Sequence, residues 1–344
     1  MKTLRTALAA GCLCCLVAQA DPVVLQASDA ARAAQYSDGR HGTSLLILQN
    51  GRTVFEHYAN GGRADAAWPI FSGTKNFWAI AALVADGEGL FRLDDRVSDT
   101  ITEWRSDPRK TQITIRQLLN FTDGIDGAPY LHRDSIADRN AMALRVPVVA
   151  APGSAFIYGP SHLQIFSELL RRKLNGRGTF SYLQGHVTGP LGISGFEYKQ
   201  DARGNPLCAT GFRLSARQWA RLGELVLGHG SAGGQQIVSA ELLARAFHGS
   251  AANPSYGLTF WLNRPAASSA READLEKMLD LRWQRASWRG VCLSKTAPPD
   301  MVVGLGSHYQ RLFIIPSMNA IIVRQSSADA NFSDTQFLRL IFGR

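Results

Sequence analysis

The clearest β-strand signals lie at the two ends of this 344-residue chain, and that separation constrains the fold more than any other feature. Near the start, Thr43 to Leu48 is apolar and β-prone, Asn50-Gly51 is a dipeptide preferred in tight turns, and Arg52 to Tyr58 continues as a second strand. The folded part is therefore expected to open with a hairpin. Near the far end, Arg311 to Ile315 and Ala320 to Gln325 flank a turn at Pro316 to Asn319. Ser333 then caps a short helix carrying Phe337, Leu338 and Leu340.

The middle of the chain is helical. Ser161 with Gln164, and Ser215 with Gln218, read as capping boxes, each followed by apolar residues at helical spacing. The first helix should stop at Asn175-Gly176 and the second at Gly228. Shorter helical stretches are expected near Arg116 to Asn120 and Ala240 to Phe247. The simplest architecture is α+β: one antiparallel sheet built from both chain ends and flanked by helices, with an inserted, mainly helical subdomain. In numbers, 21–344 forms one domain, its α/β part at about 21–90 and 251–344 and its helical part at about 91–250. Residues 265–270 form the one stretch resembling a low-complexity loop.

Residues 1–20 do not belong to that domain. Lys2 and Arg5 precede an apolar run from Ala7 to Val17, and Ala18-Gln19-Ala20 supplies a small-x-small site, so the segment reads as a signal peptide cut after Ala20. An exported, periplasmic protein is the expectation. Cys12, Cys14 and Cys15 leave with the leader; Ala9-Ala10-Gly11-Cys12 weakly resembles a lipoprotein cleavage box, but the apolar stretch before it is short. Cys208 and Cys292 remain, in a compartment where disulfides persist. Whether they pair is left open by the sequence. No later segment reaches eighteen consecutive apolar residues, so no transmembrane span is expected after the leader.

A net charge of +9, from 37 Lys+Arg against 28 Asp+Glu, comes mostly from arginine. No basic cluster is interleaved with aromatics, which argues against a nucleic-acid partner. The eight histidines show no H-E-x-x-H spacing, and two separated cysteines make no zinc site, so neither metal nor cofactor is expected.

Among seven lysines, one stands out. Ser72-Gly73-Thr74-Lys75 heads the apolar run Asn76 to Ala85, closed by Asp86-Gly87, which reads as a buried helix. Residues three apart share a helix face, so the Ser72 hydroxyl and the Lys75 amine can meet. Burial favours a neutral amine, and a neutral amine beside a hydroxyl is a general base beside a nucleophile. Backbone N–H groups at the helix start would face any negative charge that develops there.

These residues, with Leu90 to Val97, Ile113 to Ile125, Pro152-Gly153-Ser154 leading to Tyr158, and Gly306 to Pro316, resemble the serine β-lactamase and penicillin-binding-protein superfamily. The likeness is to its class C β-lactamase-like, esterase-bearing branch. The resemblance implies a cofactor-free acyl-enzyme mechanism on Ser72, with Tyr158 exchanging a proton with Ser72 and the leaving group. A nearby ammonium would lower the pKa of that phenol. The superfamily's second motif is Tyr-x-Asn; here Tyr158-Gly159-Pro160 keeps the tyrosine and replaces the asparagine, removing an amide donor and acceptor. For the third motif, Lys295-Thr296-Ala297 is set aside because Pro298-Pro299 follows and the strand at Arg311 is distant. The segment Gly304 to Arg311 fits better, making the backbone N–H groups of Ser72 and Ser307 the implied oxyanion hole and His308 a candidate pocket residue. Tyr309 stands where relatives have glycine.

The implied substrate is a small-molecule carboxylic ester or amide with a small or hydrophobic acyl group. A β-lactamase or D,D-peptidase, and a non-catalytic penicillin-binding relative, are the alternatives. A conventional Ser-His-Asp hydrolase is disfavoured, since no G-x-S-x-G elbow is present. Gly228-His229-Gly230-Ser231-Ala232-Gly233 spells a dinucleotide fingerprint but follows a helix and reads as a helix-ending loop.

Overall fold

The computed structural model describes residues 24–264, 269–279, 288–328 and 331–343. The leader with its three cysteines, and most of the 265–270 loop, lie outside the described residues. Both ends of the chain do meet in one six-stranded antiparallel sheet. Its strands are β1 (Gly42–Gln49), β2 (Arg52–Tyr58), β3 (Trp261–Leu262), β4 (Val302–Gly306), β5 (Gln310–Ile315) and β6 (Ala320–Ser326), in the order β2-β1-β6-β5-β4-β3. Asn50 and Gly51 both take positive φ, 53° and 72°, as a type I′ turn needs for its twist to match the strands it joins.

The sheet is covered on two sides, which its sequence period explains. Ile321 on β6 packs against Gly223 of α4 (Ala216–Leu227). The alternate residues Arg311, Phe313 and Arg324 face the other way. There Phe313 stacks on Phe337 of α5 (Asp334–Ile341), and Arg324 Nε donates to Ser37 Oγ of α1 (Ala27–Asp38) at 2.9 Å. Helix α1 is a correction to the sequence reading, in which the fold opened with the hairpin. Its buried residues are three alanines and a serine, too weakly apolar to make a clear stripe.

Helix α2 (Thr74–Gly87) is buried at every position from Thr74 to Asp86, so it runs through the protein rather than along its surface. Of the two proposed capping boxes, that of α4 is present, with Ser215 and Gln218 bonded reciprocally. The other is not. Helix α3 (Ser161–Lys173) starts with Pro160 as its N-cap; Ser161 Oγ donates to the Asp126 carbonyl, and Gln164 donates to Asn140 and the Pro206 carbonyl. Between α2 and β3 the chain is mainly helical. A three-stranded sheet also forms there, in which Phe212–Leu214 lies between Glu197–Tyr198 and the earlier Trp68–Pro69. Gly228 ends α4 as a turn, as expected for a helix-ending loop. No helix among the described residues is long and apolar enough to cross a membrane.

Two buried arginines face each other across β5 and β6. Arg311 makes a two-point ion pair with Asp334, at 2.8 and 2.9 Å, and a third contact of 2.9 Å to Glu276. Removing one partner of such a pair leaves an under-compensated buried charge. Asp334→Ala is expected to lower stability by about 3 kcal/mol, read as a drop in the urea midpoint. An unchanged midpoint would show that Glu276 alone compensates Arg311.

Candidate active site

Ser72 sits in a single 3₁₀ turn, Phe71–Gly73, that runs directly into α2. The backbone bends sharply there. Phe71 takes φ of 45°, a conformation that side chains resist. Gly73 lies so close to Trp219 that a Cβ would come within 2.4 Å of the indole. This places Ser72 at the head of the buried helix with its side chain half-exposed.

Lys75 is one turn further on and 1% exposed. Its Nζ donates to Ser72 Oγ at 2.7 Å and to the Ala209 carbonyl at 2.9 Å. Among the described residues it has no carboxylate partner. Burial with nothing to offset it pulls the amine down to about 7, so near neutrality a large fraction is uncharged and able to accept a proton.

Tyr158 lies in the loop before α3. The position is set by backbone crossing: a Cβ on Gly159 would lie 2.1 Å from the Gly127 carbonyl, so the two loops touch directly. The phenol packs edge-on against Phe121. Lys75 Nζ stands over the ring face, 4.8 Å from its centre. The expectation of a lowered phenol pKa is corrected: burial pushes Tyr158 up, and the nearby Ser72 hydroxyl offsets this only in part. Tyr158 is a neutral phenol, suited to donate a proton.

The third element is the turn between β4 and β5. Gly306 approaches the 3₁₀ turn so closely that a Cβ would lie 2.1 Å from the Ile70 carbonyl. Ser307, next in sequence, lines the same cavity as Ser72, and its N–H has no partner among the described residues. His308 lines it too, with its ring 5.2 Å from that of Phe71. One cavity of about 800 Å³ thus joins Ser72, Lys75, Tyr158, Ser307 and His308. A second, of about 890 Å³, is lined by charged groups such as Glu103, Lys110 and Arg172 and shares none of these residues.

The structure does not bring Cys208 and Cys292 together. Both are buried free thiols, and Cys208 donates to the Pro206 carbonyl at 3.4 Å. Lys295 lies outside the strands and does not line the Ser72 cavity. Two contributors went unread in the sequence. The Ala209 carbonyl acts through its backbone, which leaves no residue-type signal. Glu276 grips the turn beside Ser307, and nothing in its neighbours marks it out. Among the described residues, no group of three His, Cys, Asp or Glu side chains is placed to hold a metal.

Residues 27–336 match the Beta-lactamase family. The chain belongs to that family. It has the α+β fold of β-lactamases and penicillin-binding proteins. EstCE1, a hydrolase with promiscuous acyltransferase activity, superposes with a TM-score of 0.68 at 17% identity, covering 92% of this chain and 98% of that one. A class C β-lactamase from Rhodobacter sphaeroides gives 0.63 at 16% identity, covering 92% and 97%. The acyltransferase calJ of Penicillium decumbens is 29% identical over 159 residues. That match spans 38% of this chain and 38% of the relative's length.

The state of Lys75 carries a stability signature. Between its folded pKa of about 7 and the ordinary 10.5, the unfolded chain holds a proton that the folded protein has released, so this group's contribution to stability rises with pH. Lys75→Met removes the burial cost. The variant should be more stable than wild type at pH 7, and its advantage should shrink by up to about 1.4 kcal/mol per pH unit towards pH 10. Urea midpoints of both proteins across that range test this; a constant difference would mean that Lys75 titrates normally.

Proposed function

We propose that this protein is an exported hydrolase of carboxylic esters or amides that forms an acyl-enzyme on Ser72. The observation that carries the reading is the 2.7 Å contact between the Ser72 hydroxyl and an uncompensated buried lysine. Lys75, as the free amine, takes the Ser72 proton while Oγ attacks the substrate carbonyl. The oxyanion is held by the N–H groups of Ser72 and Ser307. Tyr158 gives its proton to the leaving group and regains one from the attacking water, while protonated Lys75 returns its proton to Ser72 Oγ as the acyl group leaves.

The preference for simple esters or amides over β-lactams and D,D-peptides rests on the second motif. Pro160 offers no amide to orient a substrate amide, and Lys295 does not line the cavity where the superfamily's third motif would bind a carboxylate. A relative with promiscuous acyltransferase activity and a partial match to an acyltransferase support acyl chemistry on this fold. Export rests on the leader read in residues 1–20.

The purified protein should label with a serine-directed fluorophosphonate and hydrolyse short-chain p-nitrophenyl esters faster than nitrocefin or a D-Ala-D-Ala peptide. Ser72→Ala should abolish both labelling and turnover. A wild type that matches the Ser72→Ala variant would refute the nucleophile assignment. With the short-chain ester, kcat/KM should rise with pH along an acid limb centred near 7, the value to which burial brings Lys75.

A further inference from the structure

The β4–β5 turn holds two residues in backbone geometry that glycine adopts freely and side chains resist: φ is 61° at His308 and 55° at Tyr309. Something must hold them there. Glu276, on the helical turn Leu275–Met278, accepts the His308 N–H on Oε1 at 2.8 Å and the Tyr309 N–H on Oε2 at 3.1 Å. Arg311 donates to the same Oε2 at 2.9 Å and to the Gly306 carbonyl at 2.9 Å, so the carboxylate is itself fixed. Asp274 accepts the Tyr309 hydroxyl at 2.8 Å. On the carbonyl side, Ser326 donates to His308 and Arg324 to Tyr309.

Glu276 borders the cavity, yet both of its oxygens are engaged by the turn and by Arg311, which leaves it poorly placed to bind substrate. Of the three N–H groups at Ser307, His308 and Tyr309, two end on this carboxylate and the first is left without a partner among the described residues. We propose that Glu276 is a positioning residue for the oxyanion hole: its carboxylate clamps the His308–Tyr309 turn in left-handed geometry and so aims the Ser307 N–H at the reacting carbonyl. The clamp does what glycines at 308 and 309 would otherwise do. This inference rests on the reading of Ser72 as nucleophile and Ser307 as oxyanion donor.

The test compares wild type, Glu276→Ala and the triple variant Glu276→Ala/His308→Gly/Tyr309→Gly on p-nitrophenyl butyrate, with thermal melts to confirm folding. Glu276→Ala should lower kcat by about 100-fold while KM changes little, the pattern of a lost transition-state interaction. The triple variant should regain at least about tenfold, because glycine takes positive φ without a clamp. A merely structural role would not be rescued by glycines. A folded Glu276→Ala variant with wild-type kcat, or a folded triple variant no faster than the single one, overturns the proposal. Amide hydrogen exchange in the wild type gives a reading independent of activity and of whether any variant folds. The His308 and Tyr309 amides should be protected and the Ser307 amide fast, and equal fast exchange at all three overturns the clamp. If wild type and Ser72→Ala are equally inactive, the functional reading has failed, and the exchange pattern still decides whether the clamp exists.

Discussion

An amine held out of water, with no carboxylate beside it among the described residues, is the condition on which the rest of this structure depends. Lys75 can lose its proton near neutrality only if it stays dry, and it stays dry because α2 is enclosed on every side. That enclosure needs both halves of the fold. Strands from the two chain ends form the sheet on one side, and the segment between them supplies the Ala209 carbonyl that takes one of the amine's hydrogen bonds. A surface helix with the same S-x-x-K spacing would carry an ordinary ammonium.

The same burial acts in opposite directions on the two titratable groups that meet at Ser72. It lowers the lysine and raises the phenol, because in each case it disfavours the charged form. One desolvated pocket therefore yields a base and an acid within reach of a single hydroxyl, which is the division of labour acyl transfer requires. Strained backbone lies beside these groups, at Phe71 before the serine and at His308 and Tyr309 after Ser307.

The two hairpins, α2 with its Ser72–Lys75 pair, and α4 were legible in the sequence because each rests on a local rule, whereas Tyr158 came only with the family resemblance. The local rules are apolar β-prone runs, a turn dipeptide, i,i+3 spacing and a capping box. What stayed hidden depends on partners far away in the chain. Helix α1 buries only small side chains and leaves little periodic signal. Ser161 looks like a cap but is drawn to the Asp126 carbonyl by tertiary packing. The direction of the Tyr158 shift followed from burial rather than from the nearest charge. Cys208 and Cys292 suggested a pair only because of the compartment in which they were placed, and the fold buries them as separate thiols. Glu276 was unreadable because its role is to hold backbone thirty residues away.

The central claim is that Lys75 is a neutral base because burial makes it one. Its most direct test is titration of the Lys75 side chain itself, by carbon-detected NMR of protein labelled at the lysine ε-carbon, with Lys75→Met assigning the resonance among seven lysines. The account predicts a midpoint near 7 for this resonance. A midpoint at the ordinary lysine value, above about 10, would contradict it.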